Sequence, residues 1–163
     1  MKKLSKQELD EIRKRIGELQ PFADRYKYKK NQLYLIFPHD ISIEEMNKKI
    51  ESLETPEYLE WKELSKKLHE ALFNGENKED ILIWEELDIP LYIKIRLADF
   101  GIKTVGDILQ YTADELEEIL ALPKSYNDHY GREDALLSII FFENSSFDCL
   151  ERALMKLGFH VSS

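Results

Sequence analysis

The chain has 163 residues, 43% of them apolar and 34% charged, and its 23 Lys and Arg against 32 Asp and Glu leave a formal charge of −9. That apolar share is enough for a buried core, which excludes global disorder, and the negative balance opposes binding to duplex nucleic acid, whose affinity comes mainly from cations on phosphate. The longest apolar runs are residues 33–37 and 136–142, far short of the roughly 20 apolar residues that span a bilayer.

Met1-Lys2-Lys3 leads into an amphipathic charged segment rather than an apolar stretch, so no secretory signal is expected and a cytoplasmic location follows. Cys149 is the only cysteine, which removes internal disulfides and CxxC zinc sites. Charge is distributed as a gradient. Residues 1–36 carry 10 basic and 5 acidic side chains, residues 37–80 carry 6 and 12, and residues 81–163 carry 7 and 15.

The first expected element is a helix near residues 5–19, opened by a capping box of Ser5 and Glu8 and striped by Leu9, Ile12, Ile16 and Leu19. Pro21 is expected to end it. A β-hairpin is expected near 25–37. There Tyr26 and Tyr28 alternate with Arg25, Lys27 and Lys29, Lys30-Asn31-Gln32 serves as the turn, and Leu33 to Phe37 is rich in strand formers. Ser42 and Glu45 open a helix to about Ser52. Thr55 caps a further helix whose first residue is Pro56 and whose stripe is Tyr58, Trp61, Leu64, Leu68 and Leu72, with Asn74-Gly75 as its stop. The polar residues 76–80 separate this first module (residues 1–76) from a second (residues 81–163).

In the second module, Leu91, Ile95 and Ala98 begin a helix that Gly101 stops. Thr104 caps a short helix holding Val105, Ile108 and Leu109, and Thr112 with Glu115 caps another through Leu116, Ile119 and Leu120. Short helices with tight joints predict a compact all-helical bundle. The fold class is therefore mainly α, with one β-hairpin in the N-terminal module.

Several blocks of this module, in this order, carry a resemblance: Glu86-Leu87-Asp88-Ile89, the Phe100-Gly101-Ile102 turn, Thr104 to Gln110, Thr112 to Leu116, and a last helix with Leu150, Leu154 and Leu157-Gly158-Phe159. They resemble the C-terminal domain of the bacterial RNA polymerase alpha subunit, a helix-hairpin-helix fold. The resemblance covers about half the chain and implies a bacterial, transcription-related setting. Residues 121–142 stand as an insertion, roughly a helix with a loop. Glu143-Asn144-Ser145-Ser146 then occupies the place of the family's glycine, basic pair and serine; a second register would use Gly131-Arg132-Glu133-Asp134 as the hairpin.

That family grips the DNA minor groove with an arginine and an asparagine on its first helix and with the basic hairpin. The matching positions here are Tyr92 and Ile95, followed by Arg96, and only Ser145 and Ser146 match the hairpin. A minor-groove reader needs cations, because the groove's potential is strongly negative. The resemblance with these departures therefore implies that the fold persists and the DNA grip does not, and it implies a protein partner such as the transcription machinery or a regulator. Arg96, Ser145 and Ser146 are the candidate DNA contacts by family position.

Three other groups merit a site reading. Arg13 and Arg15 with Lys27, Lys29 and Lys30, interleaved with Tyr26, Tyr28 and Tyr34, suit a single-stranded nucleic acid through phosphate contacts and stacking; the plainer reading is a charged outer face and a lysine-guarded edge. His129, Tyr130 and Arg132 form a candidate partner-binding loop, with a solvated loop as the plainer reading. The four histidines are dispersed without ligand spacing, so neither a metal nor another cofactor is expected. Glycine-rich phosphate loops are absent, Cys149 has no catalytic context, and no enzyme is expected.

Overall fold

A computed structural model describes residues 2–36, 41–121 and 146–162. The chain divides into two units, Met1–Gly75 and Glu76–Ser163. The described residues are mainly helical and contain no strand.

Unit 1 is built on α1 (Lys6–Ile36), α2 (Ile43–Ser52) and α3 (Pro56–His69), the last extended by a π-helical turn over Glu70–Asn74. The Ser5 and Glu8 capping box forms as expected. The Glu8 N–H donates to Ser5 Oγ at 3.1 Å and the Ser5 N–H donates to Glu8 Oε2 at 2.7 Å. That backbone donor holds the Glu8 carboxyl below its ordinary value.

The expected hairpin near 25–37 is corrected. Residues 25–36 continue α1, and Pro21 lies inside the helix instead of ending it. The physical reason is packing. Leu9, Ile16 and Ala23 recur every seven residues, as do Ile12, Leu19 and Tyr26, so a 3–4 seam runs straight across the proline. Leu9, Ile12, Leu19 and Ala23 are buried on it. The tyrosine–lysine alternation that reads as a strand places Tyr26 on this seam, where its ring stacks on Tyr58 of α3 at 3.8 Å. Tertiary burial of a helical face outweighs local strand propensity and one proline.

α3 runs antiparallel to α1. Tyr58 meets Tyr26, Trp61 donates from Nε1 to Gln20 Oε1 at 3.2 Å, and Leu64 and Lys67 line one cleft with Ile12 and Glu8. Arg15 clasps Glu60 with two bonds of 2.8 and 2.9 Å, the planar fork matching the carboxylate. Ser42 and Thr55 cap α2 and α3 by accepting from the N–H of Glu45 and Tyr58. α2 buries none of its residues.

Unit 2 opens with a 3-10 turn over Lys78–Asp80, followed by α4 (Ile83–Glu86), α5 (Leu91–Asp99), α6 (Val105–Ile108), α7 (Ala113–Leu120) and α8 (Ser146–Lys156). Its core is made by Ile81, Ile83, Ile93, Leu97, Val105, Ile108, Leu116, Leu150 and Leu154. Two antiparallel bonds, Ile83 N–H to the Lys103 carbonyl and Val105 N–H to the Ile81 carbonyl, stitch the entry of α4 to that of α6. Lys78 Nζ donates to the Leu157 carbonyl at 2.9 Å, tying the start of the unit to the end of α8.

The ends of α5 and α8 share one device. Gly101 (φ 73°) and Gly158 (φ 90°) take the left-handed conformation, which lets Ile102 N–H reach the Leu97 carbonyl and Phe159 N–H reach the Leu154 carbonyl. α6 carries a complete capping box, with Thr104 Oγ1 accepting from Asp107 N–H and Asp107 Oδ2 accepting from the N–H groups of Thr104 and Lys103.

Candidate interaction surfaces

The chemistry of α5 starts from how α7 ends. At Ala121 the backbone turns extended (φ −60°, ψ 141°) without a glycine. The last carbonyls of α7 therefore need donors from elsewhere. Two side chains of α5 supply them: Tyr92 Oη donates to the Leu120 carbonyl at 3.0 Å, and Arg96 Nε donates to the Ile119 carbonyl at 3.0 Å. The Arg96 side chain is only 14% exposed, lies 3.9 Å from Asp99 and packs over the Phe100 ring at 5.4 Å. A cation at a helix C-terminus is also favoured by the helix dipole. The arginine proposed from family position is thus engaged inside its own unit.

α5 carries apolar residues on two opposite sides. Ile93 and Leu97 point into the core. The stripe of Leu91, Ile95 and Ala98 faces solvent, with Leu91 61% and Ile95 44% exposed. Trp84 of α4 is exposed as well, and Lys94 Nζ on α5 holds its carbonyl at 2.9 Å. The expected helix is there, but the stripe that marks it in the sequence is the outward one. A helix with apolar residues on two opposite sides can bury only one of them against a single core, which leaves the other for a second contact. That rule, applied to Leu91 through Ala98, is the signal that would have found this surface.

The basic third divides in the same way. Arg15 is engaged by Glu60 and Glu18. Arg13 is half-buried, and Lys30 is half-buried with Nζ 5.9 Å from the centre of the Tyr26 ring. Lys27 and Lys29 are exposed and enter no ion pair among the described residues. Tyr28 and Tyr34 are exposed beside them, while Tyr26 is committed to Tyr58.

Ser146 is buried in the first turn of α8. Ser145, His129, Tyr130 and Arg132 lie outside the described residues, as do residues 122–142 of the inserted stretch. Among the described residues no group of three His, Cys, Asp or Glu side chains converges to hold a metal ion, and no helix is long and apolar enough to cross a membrane. Cys149 is half-buried on α8. Compared with protein-family models, with curated proteins and with solved structures, the chain matches none.

Proposed function

We propose that this chain is a non-enzymatic protein-binding adaptor or regulator in a transcription-related setting, and that α5 with Trp84 is its contact surface. The observation that carries this reading is the division of labour on α5. Tyr92 and Arg96, which stand at and near the positions where the resembled domain grips DNA, are engaged by the carbonyls of α7. What α5 offers to a partner is Leu91 and Ile95, and Trp84, whose carbonyl is bonded to Lys94 of α5, is exposed as well. An apolar patch rimmed by polar residues suits a protein surface, whereas phosphate demands cations. The excess of 15 acids over 7 bases in residues 81–163 supports the same reading.

A second reading, nucleic-acid binding through the basic third, is favoured by exposed Lys27 and Lys29 beside exposed Tyr28 and Tyr34. The two are separated by passing the full chain over heparin and single-stranded DNA at low salt, and by affinity capture from the native host with mass spectrometry. The adaptor reading expects no salt-sensitive retention, and recovery of polymerase subunits or a regulator that is lost with Leu91→Asp and Ile95→Asp. Retention that falls steeply with salt and is lost with Lys27→Glu and Lys29→Glu overturns it in favour of the second reading.

A further inference from the structure

The outward stripe of Leu91, Ile95 and Ala98 is bordered on both sides by elements of its own unit. Lys94 stands three residues after Leu91 and four before Ala98, so it lies beside both on the helix surface. Its Nζ donates to the Trp84 carbonyl at 2.9 Å, which sets α4 along that border. Tyr92 and Asp99 stand three and four residues from Ile95 and form the opposite border. There Tyr92 donates to the Leu120 carbonyl at 3.0 Å, which sets the last turn of α7 alongside. The stripe runs for roughly 10 Å, or two turns, along α5.

Both borders are acidic. Glu85 of α4, Asp88 on the approach to α5, and Glu117 and Glu118 in the last turn of α7 are exposed and enter no ion pair among the described residues. The only cations on α4, α5 and α7 are Lys94 and Arg96. Both are spent on carbonyls, Lys94 on that of Trp84 and Arg96 on that of Ile119. An apolar stripe between uncompensated acids selects its occupant by charge. Nucleic acid and an anionic membrane surface bring further negative charge. A second copy of the same face would set acids against acids. An extended peptide gains its affinity by adding to a sheet edge, and the described residues contain no strand. A helix satisfies its own backbone and can pack ridge into groove along α5.

We infer that the occupant of this surface is a basic amphipathic helix of a partner protein. About two turns of it lie on Leu91, Ile95 and Ala98 through apolar side chains at i, i+3 or i+4, and i+7. Lys or Arg on its margins meets Glu85 and Asp88 on one side and Glu117 and Glu118 on the other. The inference rests on the reading of α5 as the contact surface and adds the chemistry of the partner.

The test uses a synthetic helical peptide with leucine at that spacing, lysine on its margins and no tryptophan, and a counterpart with glutamate in place of each lysine. The full chain carries Trp61→Phe, so that Trp84, 48% exposed, reports on binding. The lysine peptide is expected to shift the Trp84 emission to the blue, saturably, and to bind at least about tenfold more tightly than the glutamate peptide. Glu85→Lys with Asp88→Lys, or Glu117→Lys with Glu118→Lys, reduces or reverses that preference, and added salt shrinks it. Leu91→Asp with Ile95→Asp removes binding of the lysine peptide while the far-ultraviolet circular dichroism is kept. No binding of the lysine peptide, equal affinity for the two peptides, or binding indifferent to these changes overturns the inference. Affinity capture from the native host separates its failure from that of the α5 reading. A partner lost with Leu91→Asp and Ile95→Asp yet indifferent to the acid reversals overturns the basic helix alone, whereas a partner indifferent to all of these changes overturns both.

Discussion

Arg96 on α5 donates to the carbonyl of Ile119 at 3.0 Å and so closes the open end of α7. One side chain thereby links the helix that presents the candidate contact surface to a helix that helps form the core. A charge-assisted bond of this kind contributes about 1.5–3 kcal/mol. Arg96→Ala should destabilise unit 2 by that order, and Tyr92→Phe by a smaller ~0.5–1.5 kcal/mol. Trp61 lies in unit 1 and Trp84 in unit 2, so urea unfolding followed by tryptophan fluorescence in a Trp61→Phe background reports on unit 2 alone. An unchanged unfolding midpoint for Arg96→Ala would show that the bond to α7 carries no stability.

Much of the helical framework was legible because its signals are local. Ser42, Thr55, Thr104 and Thr112 each accept from the N–H three residues ahead, as side chains of that type at a helix start do. Gly101 and Gly158 stop α5 and α8 where only a residue tolerant of positive φ fits without strain. Residues 25–36 were not legible by the same means. Their tyrosines and lysines alternate like a strand, and only the seven-residue seam, which needs α3 opposite it, assigns them to a helix. The outward face of α5 was missed for a related reason. Leu91, Ile95 and Ala98 form as good a stripe as Ile93 and Leu97, and nothing local says which of the two meets the core.

Pro21 supplies a direct test of the corrected α1. It has no N–H to donate to the Gly17 carbonyl, and its ring crowds that carbonyl. In a helix interior proline is about 3 kcal/mol worse than alanine, with part of that offset by the freer unfolded chain. Pro21→Ala should therefore stabilise unit 1 by about 1–3 kcal/mol. Thermal unfolding followed by circular dichroism should show a higher midpoint with helicity kept. A hairpin over 25–37 would give no such gain, because the proline would then lie beyond the helix.

Acid should weaken unit 2 partly through Asp107. The N–H of Lys103 is the largest influence holding its carboxyl below the ordinary aspartate value, with further help from Thr104. A carboxyl with a depressed folded pKa binds its proton more readily in the unfolded chain. Its contribution is therefore complete above the unfolded value, about 3.9, and is lost as pH falls below that through the folded value. Urea midpoints of the Trp61→Phe chain should fall more steeply below about pH 4 than those of the same chain with Asp107→Asn. Parallel slopes would mean that the capping box of α6 does not couple to protonation. Thr104→Ala, which removes the other half of the box, should cost about 1 kcal/mol at neutral pH.

The two faces of α5 can be told apart by one pair of neighbours. Ile93 is 1% exposed and packs in the core, while Ile95 is 44% exposed on the opposite side. Truncating a buried isoleucine removes its transfer energy and leaves a cavity, so Ile93→Ala should cost about 2–5 kcal/mol. Ile95→Ala leaves no enclosed cavity and should stay within about 0.5 kcal/mol of the parent. Urea unfolding of the two variants measures this directly. The asymmetry should reverse in binding: Ile95→Ala, together with Leu91→Ala, should reduce recovery of the protein partner while the fold stays intact. Equal destabilisation by both single changes would mean that α5 is covered on both sides within the isolated chain, and the contact surface would then have to be sought elsewhere.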